Sequence, residues 1–141
     1  MEQRKNSLPL LGRILLALPF FFSGLNKIFA WKQTAGYMAA KGFPLVPLFL
    51  LGAIVFEIGG SLCLIFGFRA KLGAAPLLIF LIPATLIFHN FWAFGGAERQ
   101  GQMINFMKNI SLMGGLLFVL AFGPGPLSFD ERKSEKGQNL G

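Results

Sequence analysis

The stretch Ile54–Phe66, IVFEIGGSLCLIF, is apolar almost throughout, yet it carries a carboxylate at Glu57. Which solvent this segment sees decides the fold. Acidic side chains are almost never fully buried in a soluble core unless they are paired. An ionisable group inside a membrane span is also costly, and there it commonly marks a site. The flanks settle the choice. The apolar run extends from Pro44 to Phe68, which is enough to cross a hydrocarbon layer of about 30 Å at about 1.5 Å per residue.

Three more runs of similar length follow the same pattern: 8–29, 72–94 and 103–122. Of the 141 residues, 54% are apolar and 13% charged, and 17 are phenylalanine. A soluble domain carries about 25% charged residues, and a chain this short could not bury so much apolar surface on its own. Membrane strands would show short alternating segments instead. The expected fold is therefore all-α, an integral membrane four-helix bundle. The formal charge of +7 does not point to nucleic acid, because the basic residues sit mostly at the ends of apolar runs, where Lys and Arg flank spans.

The spans divide the chain into an N-terminal segment (1–7), a four-helix transmembrane domain (8–128) and a charged tail (129–141) expected to lack structure. The run from Leu8 is interrupted by Arg13 and is not followed by a small-x-small cleavage pattern, so it reads as a retained first helix. Between the first two spans, WKQTAGYMAAKG (Trp31–Gly42) has the aromatic anchors of a short interfacial helix. FRAK (Phe68–Lys71) is a tight turn, and GGAERQGQ (Gly95–Gln102) reads as a polar loop. Pro19, Pro76 and Pro83 fall inside spans, where they are tolerated and predict kinks. Arg4, Lys5, Arg69, Lys71, Arg132, Lys133 and Lys136 lie on one side, against Lys32, Lys41 and Arg99 on the other. That excess puts both termini in the cytoplasm.

The polar residues within the spans define the candidate site. Helical Cβ atoms lean toward the helix N-terminus, so Lys27, Glu57, His89 and Lys108 are expected to converge in the outer half of the bundle. Glu57, Gly60 and Ser61 share one helical face, Thr85, His89 and Trp92 a second, and Asn105, Lys108 and Asn109 a third. These faces are expected to turn inward and the aromatic faces toward lipid. Glu57 and His89 are the candidates for proton handling. Lys27, Lys108, Asn105, Asn109 and Arg13 are the candidates for ligand binding. A structural reading stands beside each one. Glu57 serves equally as the packing partner of Lys27 or Lys108, and Lys27 and Arg13 serve equally as residues that snorkel to the headgroups. The single Cys63 excludes an intrachain disulfide or a cysteine metal cluster, and one histidine with one intramembrane acid cannot build a typical metal site or a bis-histidine haem.

An ordered set of segments resembles the DoxX family of small bacterial four-helix membrane proteins: RILLALPFFFSGLNKI (Arg13–Ile28), GYMAAKGFP (Gly36–Pro44), EIGGSLCLIFGFRAKLGA (Glu57–Ala74), FHNFW (Phe88–Trp92), NFMKNISLMGG (Asn105–Gly115) and, most specific, GPGPLSFD (Gly123–Asp130). The resemblance implies that Arg13, Ser23, Lys27, Glu57, His89, Lys108 and Asn109 matter, without giving each a role. It implies a multi-pass protein of the bacterial inner membrane, accessory to a quinone-linked oxidoreductase of the thiosulfate or thiol and oxidative-stress type, with quinone as substrate. In that reading Lys27, Lys108 and His89 donate to the quinone oxygens and Glu57 relays a proton. The expected partners are the lipid bilayer, a redox protein that supplies electrons, and a second copy of the chain, with no nucleic acid. The cofactor is left open, since no flavin, haem or cluster motif is evident. The alternative is a non-catalytic module that organises a complex or binds a small anion or lipid. Whether the chain is an enzyme stays open between the two. A transporter is a weaker third reading, because no inverted repeat with broken helices is visible.

Overall fold

A computed structural model describes residues 2–138, with side chains for residues 7–133. The chain forms α1 (Glu2–Phe29), α2 (Trp31–Ala40), α3 (Val46–Phe66), α4 (Ala70–Phe88), α5 (Gly96–Phe122) and α6 (Phe129–Gln138), with a 3-10 turn at Phe91–Ala93. Among the described residues, four segments are long and apolar enough to cross a membrane: Ser7–Phe29, Val46–Phe66, Ala70–Ala93 and Gly96–Phe122. The all-α four-span architecture is as expected, and α2 is the short helix between the first two spans. Met38 of α2 is buried against Leu50 and Ile54 of α3.

Three boundaries differ from the sequence expectation. α4 stops at Phe88, and the third span finishes in the 3-10 turn. α5 begins at Gly96, so the expected polar loop is its first turns. Glu98 lies in that first turn, where the partial positive charge of the helix end favours an acid, and Arg99 and Gln100 are good helix formers. The tail, expected to be unstructured, is helical to Gln138. Ser128 starts α6: its Oγ accepts the Glu131 N–H at 3.2 Å, while the Glu131 carboxylate accepts the Leu127 N–H at 2.9 Å. This is a variant of the Ser-x-x-Glu capping pattern. Residues 139–141 lie outside the described residues.

The spans pack in the order α1, α3, α4, α5, and α1 meets α5 only over a short stretch. Ala17, Phe20, Leu64, Ala74, Leu77 and Leu116 form the central core. Small residues set the helix spacing. Leu77 of α4 fills the notch at Gly60 of α3, where a methyl group would stand 2.6 Å from Leu77 Cγ and 2.9 Å from the Gly73 carbonyl oxygen. Gly24 similarly brings α1 against Glu57 and Ile58. Without a hydrophobic drive between helices in lipid, close contact of this kind is what holds spans together. Phe22, Phe49, Phe56, Phe66, Phe118 and Phe122 face outward, a surface suited to hydrocarbon and not to water.

Candidate functional site

The outer polar cluster reduces to a three-residue unit. Lys27 Nζ donates to Ser23 Oγ at 2.7 Å and to Glu57 Oε1 at 3.1 Å, and it stands 2.9 Å from Glu57 Oε2. Ser23 Oγ donates to Glu57 Oε1 at 3.0 Å. Ser23 and Lys27 are one helical turn apart on α1, so they reach across to the same carboxylate on α3. The side chain of Glu57 is 5% exposed and that of Lys27 is 21% exposed. The unit is electrically neutral, and Gly24 lies at the crossing between its members. It pins α1 to α3.

The other expected members stand elsewhere. His89 follows the last turn of α4, and its Nδ1 donates to Gln102 Oε1 of α5 at 2.8 Å. Lys108 faces outward and donates to Asn105 Oδ1 at 3.1 Å. Asn109 turns inward instead: its Nδ2 donates to Thr85 Oγ1 at 3.0 Å, and the Thr85 hydroxyl donates to the Leu81 carbonyl at 2.6 Å. The register of α5 against α4 turns Asn109 to Thr85 and leaves Lys108, about 100° around the helix, on the exposed side. The four-way convergence is thus corrected to the Lys27–Glu57 pair. Trp92 is exposed and packs edge-on against Phe91 and Phe106.

Arg13 is the largest departure. It does not snorkel to the headgroups but is 4% exposed inside the opposite end of the bundle. Its guanidinium donates to the carbonyls of Pro124 (2.9 Å), Pro126 (3.0 Å) and Leu127, with a longer contact from Nε to Ile65 O at 3.4 Å. The GPGPLSFD segment is therefore a strap tied to α1. Its last residue, Asp130, accepts the N–H groups of Arg69 (2.8 Å) and Ala70 (2.9 Å), which caps α4 from outside that helix. The Asp130 N–H donates to the Gly67 carbonyl at 3.0 Å. Gly67 ends α3 at φ +62°, and Ser128 packs so closely on it that a side chain there would collide. Sequence reasoning quoted this motif without foreseeing what it binds. Gln102 and Asp130 were likewise missed as partners. The one available signal was an arginine near a span end followed, far along the chain, by a proline-interrupted run of free carbonyls.

An opening lies beside Arg13. Between α1 and α5 is a crevice of about 530 Å³, lined mostly by apolar groups, among them Pro9, Gly12, Leu16, Gly115, Phe118 and Phe122. Leu16 packs onto Gly115 at its closest point. The strap residues Gly123–Gly125 floor it.

The DoxX family model matches residues 8–90. The chain belongs to the DoxX family. The match covers α1 to α4 and includes the Lys27–Ser23–Glu57 unit and Arg13. A second model, the SURF4 family, matches residues 53–136 and so covers α4, α5, most of α3 and α6, and the strap. Two relatives from Escherichia coli (strain K12) align over nearly their whole lengths. Inner membrane protein YphA is 32% identical over 87% of this chain and 88% of its own. Inner membrane protein YqjF is 33% identical over 90% of this chain and 92% of its own. The ER-derived vesicles protein ERV29 of Saccharomyces cerevisiae is 29% identical over 72% of this chain but only 35% of its own length. No solved structure matches the chain. In this chain Arg13 and the Lys27–Glu57 pair thus act as internal ties, with an open seam at one flank.

Proposed function

We propose that this DoxX protein is an accessory membrane subunit that takes the apolar part of an amphipathic molecule, a quinone first among them, into the seam between α1 and α5. It works in the inner membrane with both termini cytoplasmic. The observation that carries the reading is the open crevice of about 530 Å³ between α1 and α5. Gly12 leaves room on its wall. Its position on the flank suits entry sideways from lipid.

The chemistry assigned to the outer residues is set aside in this reading. Lys27 and Ser23 are both bonded to Glu57 Oε1, Lys27 Nζ also pairs with Oε2 at 2.9 Å, and His89 is held by Gln102. Arg13 borders the seam, but its donors are taken by strap carbonyls. A bound quinone would meet no free proton donor there among the groups named, so electrons and protons would come from a partner redox protein. The inner-membrane location draws on the names of the two Escherichia coli relatives. The orientation draws on Arg69, Lys71, Arg132 and Lys133 at the strap end against Lys32, Lys41 and Arg99 at the other.

The test is native mass spectrometry of the protein released from its own membrane in mild detergent, beside Gly12→Leu. A Cβ on Gly12 meets nothing within 4 Å, so a leucine side chain there starts into open space at the wall of the seam. The expected result is a retained quinone in the wild type and none in the variant. A wild-type protein that carries no such molecule refutes the reading.

A further inference from the structure

A second small hollow, of about 190 Å³, lies on the other side of Arg13. It is bordered by Leu10, Ile65, Phe66, Leu127, Phe129 and Arg132. The charges around it are sorted by direction. The acids look inward: Asp130 is committed to the Arg69 and Ala70 N–H groups, and Glu131 to the Leu127 N–H. The bases look outward. Arg69 and Arg132 lie over the rings of Phe68 and Phe129, at 5.7 and 6.0 Å from the centroids. Among the described residues neither guanidinium donates a hydrogen bond to a protein group, and nor does the exposed Lys133 ammonium. Phe66, Phe68, Leu127 and Phe129 are each about half exposed or more. Cationic groups over exposed aromatic rings, beside an apolar hollow, match the chemistry of a phospholipid at the membrane interface. The hollow suits the upper part of an acyl chain, and an arginine fork suits the phosphate.

We propose that the rim formed by the α3–α4 turn and the start of α6 is a binding site for an anionic phospholipid, with Arg132 and Arg69 on the headgroup and the chain entering against Leu10, Ile65 and Phe66. The argument is one of charge complementarity. Three outward cations face the headgroup layer while the neighbouring carboxylates are turned into the protein as helix caps. Arg13 borders the hollow too, but its donors are spent on carbonyls, so it holds the strap and not the lipid. The site is separate from the α1–α5 seam, and neither proposal depends on the other.

The experiment is a native mass spectrometry titration of the full chain in mild detergent, comparing phosphatidylglycerol with phosphatidylcholine. Arg132→Gln, Arg69→Gln and the double variant are set beside Lys41→Gln, which removes one positive charge at the opposite end. Each cation near an anionic headgroup is worth about fivefold in affinity. The expected result is a phosphatidylglycerol preference that falls about fivefold in each arginine variant and about 25-fold in the double variant. Lys41→Gln should keep the wild-type preference. Circular dichroism should show the helix content retained, because neither arginine side chain hydrogen-bonds to a helix end. Equal binding of the two lipids overturns the proposal. So does a preference that Lys41→Gln lowers as much as Arg132→Gln, or one left intact in the double variant.

Discussion

Breaking the Lys27–Glu57 pair from either side should be unequal, and the inequality follows from geometry. Lys27→Met leaves the Glu57 carboxylate 5% exposed, with the Ser23 hydroxyl its remaining partner. Removing one partner of a buried ion pair costs about 3–5 kcal/mol, and this case sits at the upper end. Glu57→Gln is milder. The amide oxygen still accepts from Ser23, and the ammonium, 21% exposed near the end of α1, can extend toward the interface. Its cost is about 1–2 kcal/mol. The double variant Lys27→Met with Glu57→Gln carries no buried charge and keeps the Ser23 bond, so it should cost less than Lys27→Met alone. The coupling then exceeds the cost of Glu57→Gln itself, about 1–2 kcal/mol. Unfolding by graded SDS in mixed micelles, followed by circular dichroism, reads all four proteins. If Lys27→Met costs no more than Glu57→Gln, or if the double variant equals the sum of the singles, the pair is not the α1–α3 pin described here.

Other ties are expected to behave as follows. Arg13→Lys keeps the charge but loses the fork that reaches three strap carbonyls, and should cost about 2–3 kcal/mol in the same unfolding assay. Asp130→Ala removes the acceptor of two α4 N–H groups and should cost about 1–3 kcal/mol, with faster hydrogen exchange at Arg69 and Ala70 as its local signature. Gly60→Ala drives a methyl group into Leu77 and the Gly73 carbonyl and should cost about 1–3 kcal/mol. Asn109→Leu breaks the α4–α5 bond to Thr85 and should cost about 0.6–1.7 kcal/mol, between the average and the largest value for interhelical hydrogen bonds in a membrane protein. That value should largely vanish in a Thr85→Val background.

The parts of the molecule legible in the sequence were those set by hydropathy and by helical spacing. The spans show as apolar runs, and Lys27 is an expected partner of the lone acid of α3. Gly60 and Ser61 on the face of Glu57 announce close packing, because small residues let another helix approach. Arg13 was illegible because its partners are backbone carbonyls more than a hundred residues away, and carbonyls have no residue identity to read. The loop at 95–102 misled because hydropathy separates lipid from water, not helix from coil. A polar helix extending beyond the membrane looks like a loop by that measure. Lys108 misled for a geometric reason: it shares a polar run with Asn109, and only the register of α5 against α4 decides which of the two faces the core. The seam was invisible because it is a gap between helices and not a pattern along one of them.

The most direct test of the account is photolabelling with a photoreactive quinone analogue in native membranes, with the labelled peptides mapped by mass spectrometry. The account predicts label on α1 around Gly12 and Leu16 and on α5 between Gly115 and Phe122, abolished by Gly12→Leu and unchanged by Glu57→Gln. Label concentrated at Lys27, Glu57 or His89, lost in Glu57→Gln and kept in Gly12→Leu, would contradict it and return the function to the outer polar cluster.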